Sequence, residues 1–105
     1  MLVEERRRSA RHPFFASAEI REPRTKYSVT ARTNELSRGG CYMDMMNPLG
    51  SGAALEVRII HGGEVVDVPA RVVHAQPNVG MGLSFGPADS AQLQMLDRWL
   101  TGLES

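Results

Sequence analysis

Apolar and polar side chains alternate along most of the middle of this chain, which is the pattern of β-strands with one buried face. Five or six short strands are predicted in this way, over residues 16–21, 27–33, 41–45, 55–61, 66–72 and 79–85. Gly62 and Gly63 separate the fourth segment from the fifth and predict a hairpin there. Residues rich in Asn, Pro, Gly and Ser predict a loop over 47–52.

The spacing of apolar residues changes near the carboxyl end of the chain. Leucines recur at intervals of three and four residues, at Leu93, Leu96, Leu100 and Leu103. This spacing predicts one amphipathic α-helix, capped by Asp89 or Ser90 and ending near Gly102. Short strands followed by a single helix predict an all-β fold, in which a small antiparallel barrel has one open end covered by the helix.

Length and composition restrict the kind of protein further. The 105 residues suit one domain, and no apolar run approaches the roughly 20 residues of a membrane-spanning helix. Charged residues at positions 4–8 argue against a signal peptide, so we expect a cytoplasmic protein with no membrane partner. The single Cys41 excludes an internal disulfide, and the scattered His12, His61 and His74 lack the spacing of zinc ligands. We expect no structural metal.

The distribution of charge is more informative than its sum. Twelve basic residues balance twelve acidic ones, but residues 1–40 carry nine basic and five acidic side chains, a local charge of +4. The remaining residues carry three basic and seven acidic side chains, a local charge of −4. Eleven of the twelve basic residues are arginines, whose planar forks suit phosphate and guanine. An anionic ligand of limited size near the amino-terminal half is therefore compatible with the balanced total.

Two short motifs remain after a search for catalytic patterns. A nucleophile elbow, carboxylates at catalytic spacing and a phosphate-binding P-loop are all absent from the sequence, so we expect no enzyme activity. The first motif is Arg-x-x-x-Arg, from Arg7 to Arg11, ahead of the first predicted strand. The second is Asn-x-Ser-x-x-Gly, from Asn34 to Gly39, at a junction between strands.

Each motif also has a plainer explanation when it is taken alone. The arginines of residues 6–11 could be a solvated run of charge paired with Glu4 and Glu5. Asn, Ser and Gly are common turn formers, so residues 34–40 could be a turn and nothing more. The Arg-x-x-x-Arg spacing is expected about once by chance in this composition, and the second motif about once in twenty such chains. The order of the two motifs along the chain is further evidence that they have a function.

In this order, the motifs resemble those of the PilZ domain, a bacterial receptor module for the second messenger cyclic di-GMP. The resemblance runs from Glu5 to about Leu103. It includes Glu-Arg-Arg-x-x-x-Arg-x-Pro over residues 5–13, Glu-Leu-Ser-Arg-Gly-Gly over 35–40 and Gly-Met-Gly-Leu-Ser-Phe over 80–85. It implies a six-stranded antiparallel β-barrel with a C-terminal α-helix, organised as a flexible ligand-clamping arm over residues 1–13 and the barrel with its helix over residues 14–105.

For the arm, the resemblance implies direct contacts with cyclic di-GMP. Arg7 and Arg11 would clamp its phosphates and one guanine edge. Arg6 would favour a stacked pair of ligands over a single one, because it adds a cation and a flat stacking surface. The arm would become ordered on binding and present a changed shape to an unidentified downstream protein.

For the second motif, the resemblance implies contacts from the barrel surface. Asn34 and Ser37 would offer polar side-chain groups to a guanine. Gly39 would let a base approach the backbone closely, and Gly40 would support the turn. The expected protein is a receptor or adaptor that needs no cofactor, is a monomer or weak dimer, and binds no DNA or RNA.

Two other functions remain open from the sequence. The first is a PilZ-type protein-interaction module that binds no nucleotide, but such modules lack the motif residues that this chain retains. The second is a barrel that binds single-stranded nucleic acid, which requires exposed aromatic residues on a basic face. Of six aromatic residues, four are expected to face the core or to pack against the arm, namely Phe14, Phe15, Phe85 and Trp99. The methionines Met43, Met45 and Met46 are expected to pack inside the barrel, with an exposed contact patch as the alternative.

Overall fold

Six antiparallel strands close into a barrel in the computed structural model, which describes residues 11–104. The strands are β1 (His12–Glu22), β2 (Tyr27–Ser37), β3 (Gly40–Asp44), β4 (Ala54–His61), β5 (Glu64–Gln76) and β6 (Gly80–Phe85), and the helix is α1 (Ser90–Glu104). Around the barrel they follow the order β1-β2-β3-β6-β5-β4, and β4 pairs with β1 to close the sheet. The all-β class and the barrel with its carboxyl-terminal helix are thus confirmed.

The barrel interior holds the apolar side chains of alternate strand positions. In β1 the buried residues are Phe14, Ala16, Ala18 and Ile20, and their neighbours Phe15, Ser17 and Glu19 are exposed. β4 and β5 alternate in the same way, with Leu55, Val57, Ile59, Val66, Val68, Ala70 and Val72 inside. Since closure pairs every strand on both sides, the barrel keeps its polar face outward without leaving a long free edge in the described chain.

Among the exposed apolar residues, Phe15 and Met46 were expected to be buried. Phe15 is 60% exposed, because the alternation that buries Phe14 and Ala16 turns it outward. There the guanidinium of Arg32 lies 5.4 Å from the centre of its ring. Met46 is 64% exposed, since it follows the end of β3 and does not share the inward parity of Met43. The expectations that Phe15 faces the core and that Met46 packs inside the barrel are therefore wrong, whereas packing of Phe15 against the arm falls outside residues 11–104.

A buried hydroxyl stabilises an irregular stretch of β1. The β1–β2 register shifts between Pro13 and Ala16, which marks a bulge. Thr33 of β2, fully buried, donates a 2.6 Å hydrogen bond to the Phe14 carbonyl and accepts a 3.0 Å hydrogen bond from the Ala16 N–H. The threonine therefore satisfies two backbone groups that the bulge removes from the regular ladder.

Two glycines allow β3 and β6 to approach closely. A β-carbon built on Gly40 would clash with the carbonyl oxygen of Leu83, and one built on Gly80 would clash with the carbonyl oxygen of Met43. Neither glycine has a positive φ angle, so the requirement comes from crowding between the backbones. Gly40 thus belongs to the β3–β6 contact, rather than only supporting the preceding turn.

Helix α1 packs over the barrel end where the β4–β5 hairpin turns. Asp89 is its N-cap, since its carboxylate accepts a 3.0 Å hydrogen bond from the Gln92 N–H. Leu96, Trp99 and Leu100 are buried, and the Trp99 ring stacks on Phe14 with centroids 5.4 Å apart. The helix continues through Gly102 to Glu104, slightly beyond its predicted end. Within residues 11–104, no helix has the length and apolar character needed to cross a bilayer.

Candidate functional site

A cleft of about 690 Å³ lies on the outer face of the barrel where β2 ends and β3 begins. Four residues that the sequence singled out line it, namely Arg11, Ser37, Gly39 and Gly40. Strands β2, β3, β5 and β6 all contribute to its walls. The cleft thus brings the end of the first motif together with most of the second, although the two are separated by the whole of β1 and most of β2.

Arg11 lies immediately before β1 and is the one residue of the first motif within the described chain. Its Nη1 lies 3.5 Å from Oε1 of Glu35, and both side chains line the cleft. The Arg11 side chain is 69% exposed, so it remains open to solvent away from Glu35. Arg6 and Arg7 lie outside the described residues.

The second motif is mostly strand rather than turn. Asn34, Glu35, Leu36 and Ser37 are the last four residues of β2, and only Arg38 and Gly39 form the turn into β3. The β2–β3 register shifts between Thr33 and Glu35, so Asn34 occupies a bulge. The bulge explains how Thr33 and Leu36, three residues apart, both face the core. The expectation that these residues form a turn is corrected accordingly.

Asn34 does not line the cleft. Its half-buried amide nitrogen Nδ2 donates a 2.6 Å hydrogen bond to Oδ1 of Asp44, at the end of β3. The other oxygen of Asp44 accepts a 3.2 Å hydrogen bond from Arg32. The structure therefore separates the first residue of the second motif from Ser37 and Gly39.

Contacts within the chain account for the serine at position 37 but not for the glycine at position 39. Ser37 is buried, and its hydroxyl donates a 3.2 Å hydrogen bond to the Gly40 carbonyl across the turn. Gly39 is exposed, has no positive φ angle, and a β-carbon built on it would meet nothing within 4 Å. Its carbonyl oxygen accepts a 2.8 Å hydrogen bond from the Phe85 N–H, which fixes the turn against β6. No contact within the described chain requires glycine at position 39.

The turn is also connected to the helix. Arg38 forms an ion pair with Asp97 of α1, and both side chains are about half exposed. This contact was not predictable from the sequence, because the two residues lie 59 positions apart and neither belongs to a local pattern.

Strands β3 and β5 supply two cleft residues that the sequence did not suggest. Tyr42 and His74 flank Gly82, which pairs with both of them in the sheet. A β-carbon built on Gly82 would lie 3.6 Å from the Tyr42 ring and 3.6 Å from the His74 β-carbon. The sequence feature that could have indicated these two residues is the outward-facing Gly82, since a glycine in a strand leaves space for a neighbouring ring.

The lining of the cleft includes a cysteine and several polar side chains. Cys41 lines the cleft, but burial raises the pKa of its thiol to about 12, so the thiol carries almost no nucleophilic thiolate at neutral pH. Within residues 11–104, His, Cys, Asp and Glu side chains form no group of three that could hold a metal ion. The cleft offers an arginine fork, a hydroxyl, an imidazole and a phenol ring, which suit an anion with planar groups.

Comparison with known proteins gives a consistent result. The family model for the PilZ domain matches residues 5–102. The PilZ domain of CeSA from a cellulose-synthesizing bacterium superposes with a TM-score of 0.75 at 27% identity, over 92% of this chain and 100% of that one. The PilZ domain of YcgR from Escherichia coli, solved with c-di-GMP, superposes with a TM-score of 0.74 at 16% identity, over 94% and 92% of the two chains.

A longer protein contains the same fold. The Bacillus subtilis inhibitor of motility, MotI, matches with a TM-score of 0.69 at 17% identity, over 87% of this chain but only 47% of its own. At such identities, the YcgR and MotI structures support the fold alone. No curated protein sequence matches the chain.

Proposed function

This chain belongs to the PilZ domain family, and from that premise we propose that it is a non-catalytic receptor for cyclic di-GMP. The proposed site is the cleft at the end of β2, together with Arg6 and Arg7 of the preceding segment. The observation that carries the proposal is the meeting of Arg11, Ser37 and Gly39 at one cleft, since these residues come from two motifs far apart in sequence.

The chemistry of the ligand matches that of the cleft. Cyclic di-GMP carries two phosphodiester charges and two guanines, each with O6 and N7 acceptors on one edge. An arginine fork binds either target with two parallel hydrogen bonds, and a good bidentate contact is worth about 1–3 kcal/mol of discrimination. We propose that Arg7 and Arg11 take the phosphates and a guanine edge. Asn34 and Ser37 would supply polar contacts to a guanine.

Gly39 gives this proposal independent support. Neither its backbone conformation nor its neighbours require glycine, and the space beside its α-carbon is open. A base lying against the backbone at this point would require it, because any side chain would stand in its place. The cleft volume of about 690 Å³ also falls in the usual range for small-molecule sites.

We further propose that ligand occupancy is passed to an unidentified partner protein in the bacterial cytoplasm. The Arg38–Asp97 ion pair supports this, since it connects the turn of the site to the exposed side of α1. Arg6 would add a cation beside Arg7 and favour a stacked pair of ligands. The protein would need no cofactor, would have no DNA, RNA or membrane partner, and would be a monomer or weak dimer.

Isothermal titration calorimetry with cyclic di-GMP tests the receptor proposal. Wild type should bind, and both Arg11→Ala and Gly39→Val should lose most of the binding while keeping the wild-type melting temperature. Arg21→Ala is the matched control, since Arg21 is an exposed β1 arginine outside the cleft and its loss changes the net charge equally. If wild type produces neither heat nor a thermal shift at high ligand concentration, the chain is not a cyclic di-GMP receptor.

The same titration tests the stacked pair. Two ligands per chain are expected for wild type, and one for Arg6→Ala. A wild-type stoichiometry of one would eliminate the two-ligand mode and leave the receptor proposal intact.

The internal contacts of the site favour one alternative, a PilZ-type interaction module that binds no nucleotide. Asn34, Ser37 and Arg11 each have a partner within the chain, so the folded protein does not depend on a ligand to satisfy them. That module would bind a protein partner equally well with and without cyclic di-GMP. A receptor would change its affinity for the partner on binding the nucleotide.

A further inference from the structure

We propose that Asp44 and Glu35 are internal competitors of the ligand, each holding a ligand-binding side chain in the free protein. Binding would require Asn34 to leave Asp44, and Arg11 would bind the ligand in competition with Glu35. The two carboxylates would therefore set the affinity of the site without touching the bound nucleotide. This inference rests on the proposed receptor function.

The contact between Asn34 and Asp44 is the stronger of the two. It is a 2.6 Å hydrogen bond to a charged acceptor, and it is partly buried, both of which strengthen it. Arg32 bonds to the second oxygen of Asp44 and so fixes the orientation of the carboxylate. The bulge at Asn34 allows its side chain to reach the end of β3 while Glu35 and Ser37 face the cleft.

This arrangement withholds the Asn34 amide from the cleft. Neither Asn34 nor Asp44 lines it, and one of the two amide hydrogens is already directed at Asp44. For the amide to reach a guanine in the cleft, the side chain must rotate and give up this bond. The free energy of breaking it is subtracted from the binding free energy, since a ligand is favoured only by the difference between the two states.

Glu35 competes inside the cleft itself. Its carboxylate lies 3.5 Å from the Arg11 guanidinium and occupies one of the sides from which that group could bind an anion. Both side chains are substantially exposed, so water and salt weaken this pair. We therefore expect Glu35 to reduce the affinity less than Asp44 does.

Calorimetry on single variants tests the inference. Asp44→Ala should tighten cyclic di-GMP binding about 3- to 10-fold, the range for a lost hydrogen bond to a charged group at a partly exposed site. Glu35→Gln should tighten it about 2- to 5-fold. Arg32→Ala should tighten binding less than Asp44→Ala does, because the bond between Asn34 and Asp44 remains although its acceptor is less well oriented.

A matched control separates a local effect from a change in net charge. Asp67 forms a comparable ion pair with Arg58 on the outer face, with side chains 49% and 53% exposed. Asp67→Asn removes the same charge as Glu35→Gln and should change the affinity less than about 2-fold. The gain from Asp44→Ala should also persist in 0.5 M salt, where the screening length falls below about 5 Å.

The outcomes distinguish this inference from the receptor proposal. If wild type binds and Asp44→Ala binds equally or more weakly, Asp44 is not a competitor and the receptor proposal stands. If binding is undetectable in wild type but appears in a folded Asp44→Ala, Glu35→Gln double variant, the competition is supported and the receptor proposal for the natural chain is overturned. If wild type and the folded double variant both fail to bind, both proposals are overturned.

Discussion

The indole nitrogen of Trp99 donates a 2.9 Å hydrogen bond to Oε1 of Glu64, and this contact fastens α1 to the barrel. Glu64 is the first residue of β5, directly after the hairpin glycines, and its other oxygen pairs with Arg98. The Trp99 ring also contacts His61 from the other side of the hairpin, with centroids 5.5 Å apart. One carboxylate thus links two neighbouring helix residues to the tip of the β4–β5 hairpin.

Stability should therefore depend on the ionisation of Glu64. The Trp99 hydrogen bond, followed by the Arg98 contact, lowers the pKa of Glu64 below its ordinary value of 4.5. A carboxylate whose pKa is lower in the folded than in the unfolded protein stabilises the fold at pH values above its unfolded pKa. This stabilisation is lost as the pH falls through the pKa of the folded state. Urea denaturation of wild type and Glu64→Gln should show a wild-type advantage at pH 7 that shrinks below pH 4.5.

Glu56→Gln is the control for that experiment, since Glu56 is an exposed glutamate of β4 on the outer face. The difference in stability between wild type and Glu56→Gln should change much less over the same pH range. An advantage of wild type over Glu64→Gln that stays constant from pH 7 to pH 3 would show that ionised Glu64 does not hold the helix.

Cys41 should react slowly with thiol reagents in the folded protein. The residue is 8% exposed, and burial raises the pKa of its thiol from 9.0 to about 12. At pH 8 this lowers the thiolate fraction about a thousandfold, and the thiolate is the reactive form. Labelling by Ellman's reagent should be slow in buffer and fast in urea above the unfolding midpoint. Complete labelling of the folded protein within seconds would contradict the buried thiol.

The alternation of apolar residues predicted most of the strands, because burial parity is a local property of the chain. It did not predict the end of β2, since the bulge at Asn34 interrupts the two-residue period after Thr33. Residues 35–37 join the strand through pairing with β3, and Asn34 is carried along as the bulge, although Asn and Ser favour turns on their own. The same parity shows that Phe15 lies outside, which its size alone did not indicate.

The site was predictable only where its residues form a short motif. The turn after Ser37 and the position of Arg11 before β1 follow from sequence order and strand length. Tyr42 and His74 meet at the cleft because β3 and β5 flank β6, and that pairing connects segments far apart in the chain. The bond from Asn34 to Asp44 arises in the same way. Roles in ligand binding remain predictions for all of these residues.

Thr33 provides a test of how the bulge in β1 is stabilised. Thr33→Val keeps the shape of the side chain but removes the hydroxyl that bonds to the Phe14 carbonyl and the Ala16 N–H. Two buried backbone groups would lose their partner, and the expected destabilisation is about 2–4 kcal/mol. Thr30 is an exposed residue of β2, the strand that also contains Thr33. In urea denaturation, the unfolding free energy of Thr30→Val should stay within about 0.5 kcal/mol of wild type. Equal effects at both positions would rule out a special role for the buried hydroxyl.

Alanine should destabilise the protein at position 40 but leave its stability nearly unchanged at the neighbouring position 39. Gly40→Ala directs a methyl group at the Leu83 carbonyl, so β3 and β6 must separate, at a cost of about 1–3 kcal/mol in unfolding free energy. Gly39→Ala meets open space and should stay within about 0.5 kcal/mol of wild type. The fold thus requires glycine at position 40 and tolerates a side chain at position 39. If Gly39→Ala instead destabilises the protein as much as Gly40→Ala, the glycine at position 39 serves the fold, and its support for the ligand site disappears.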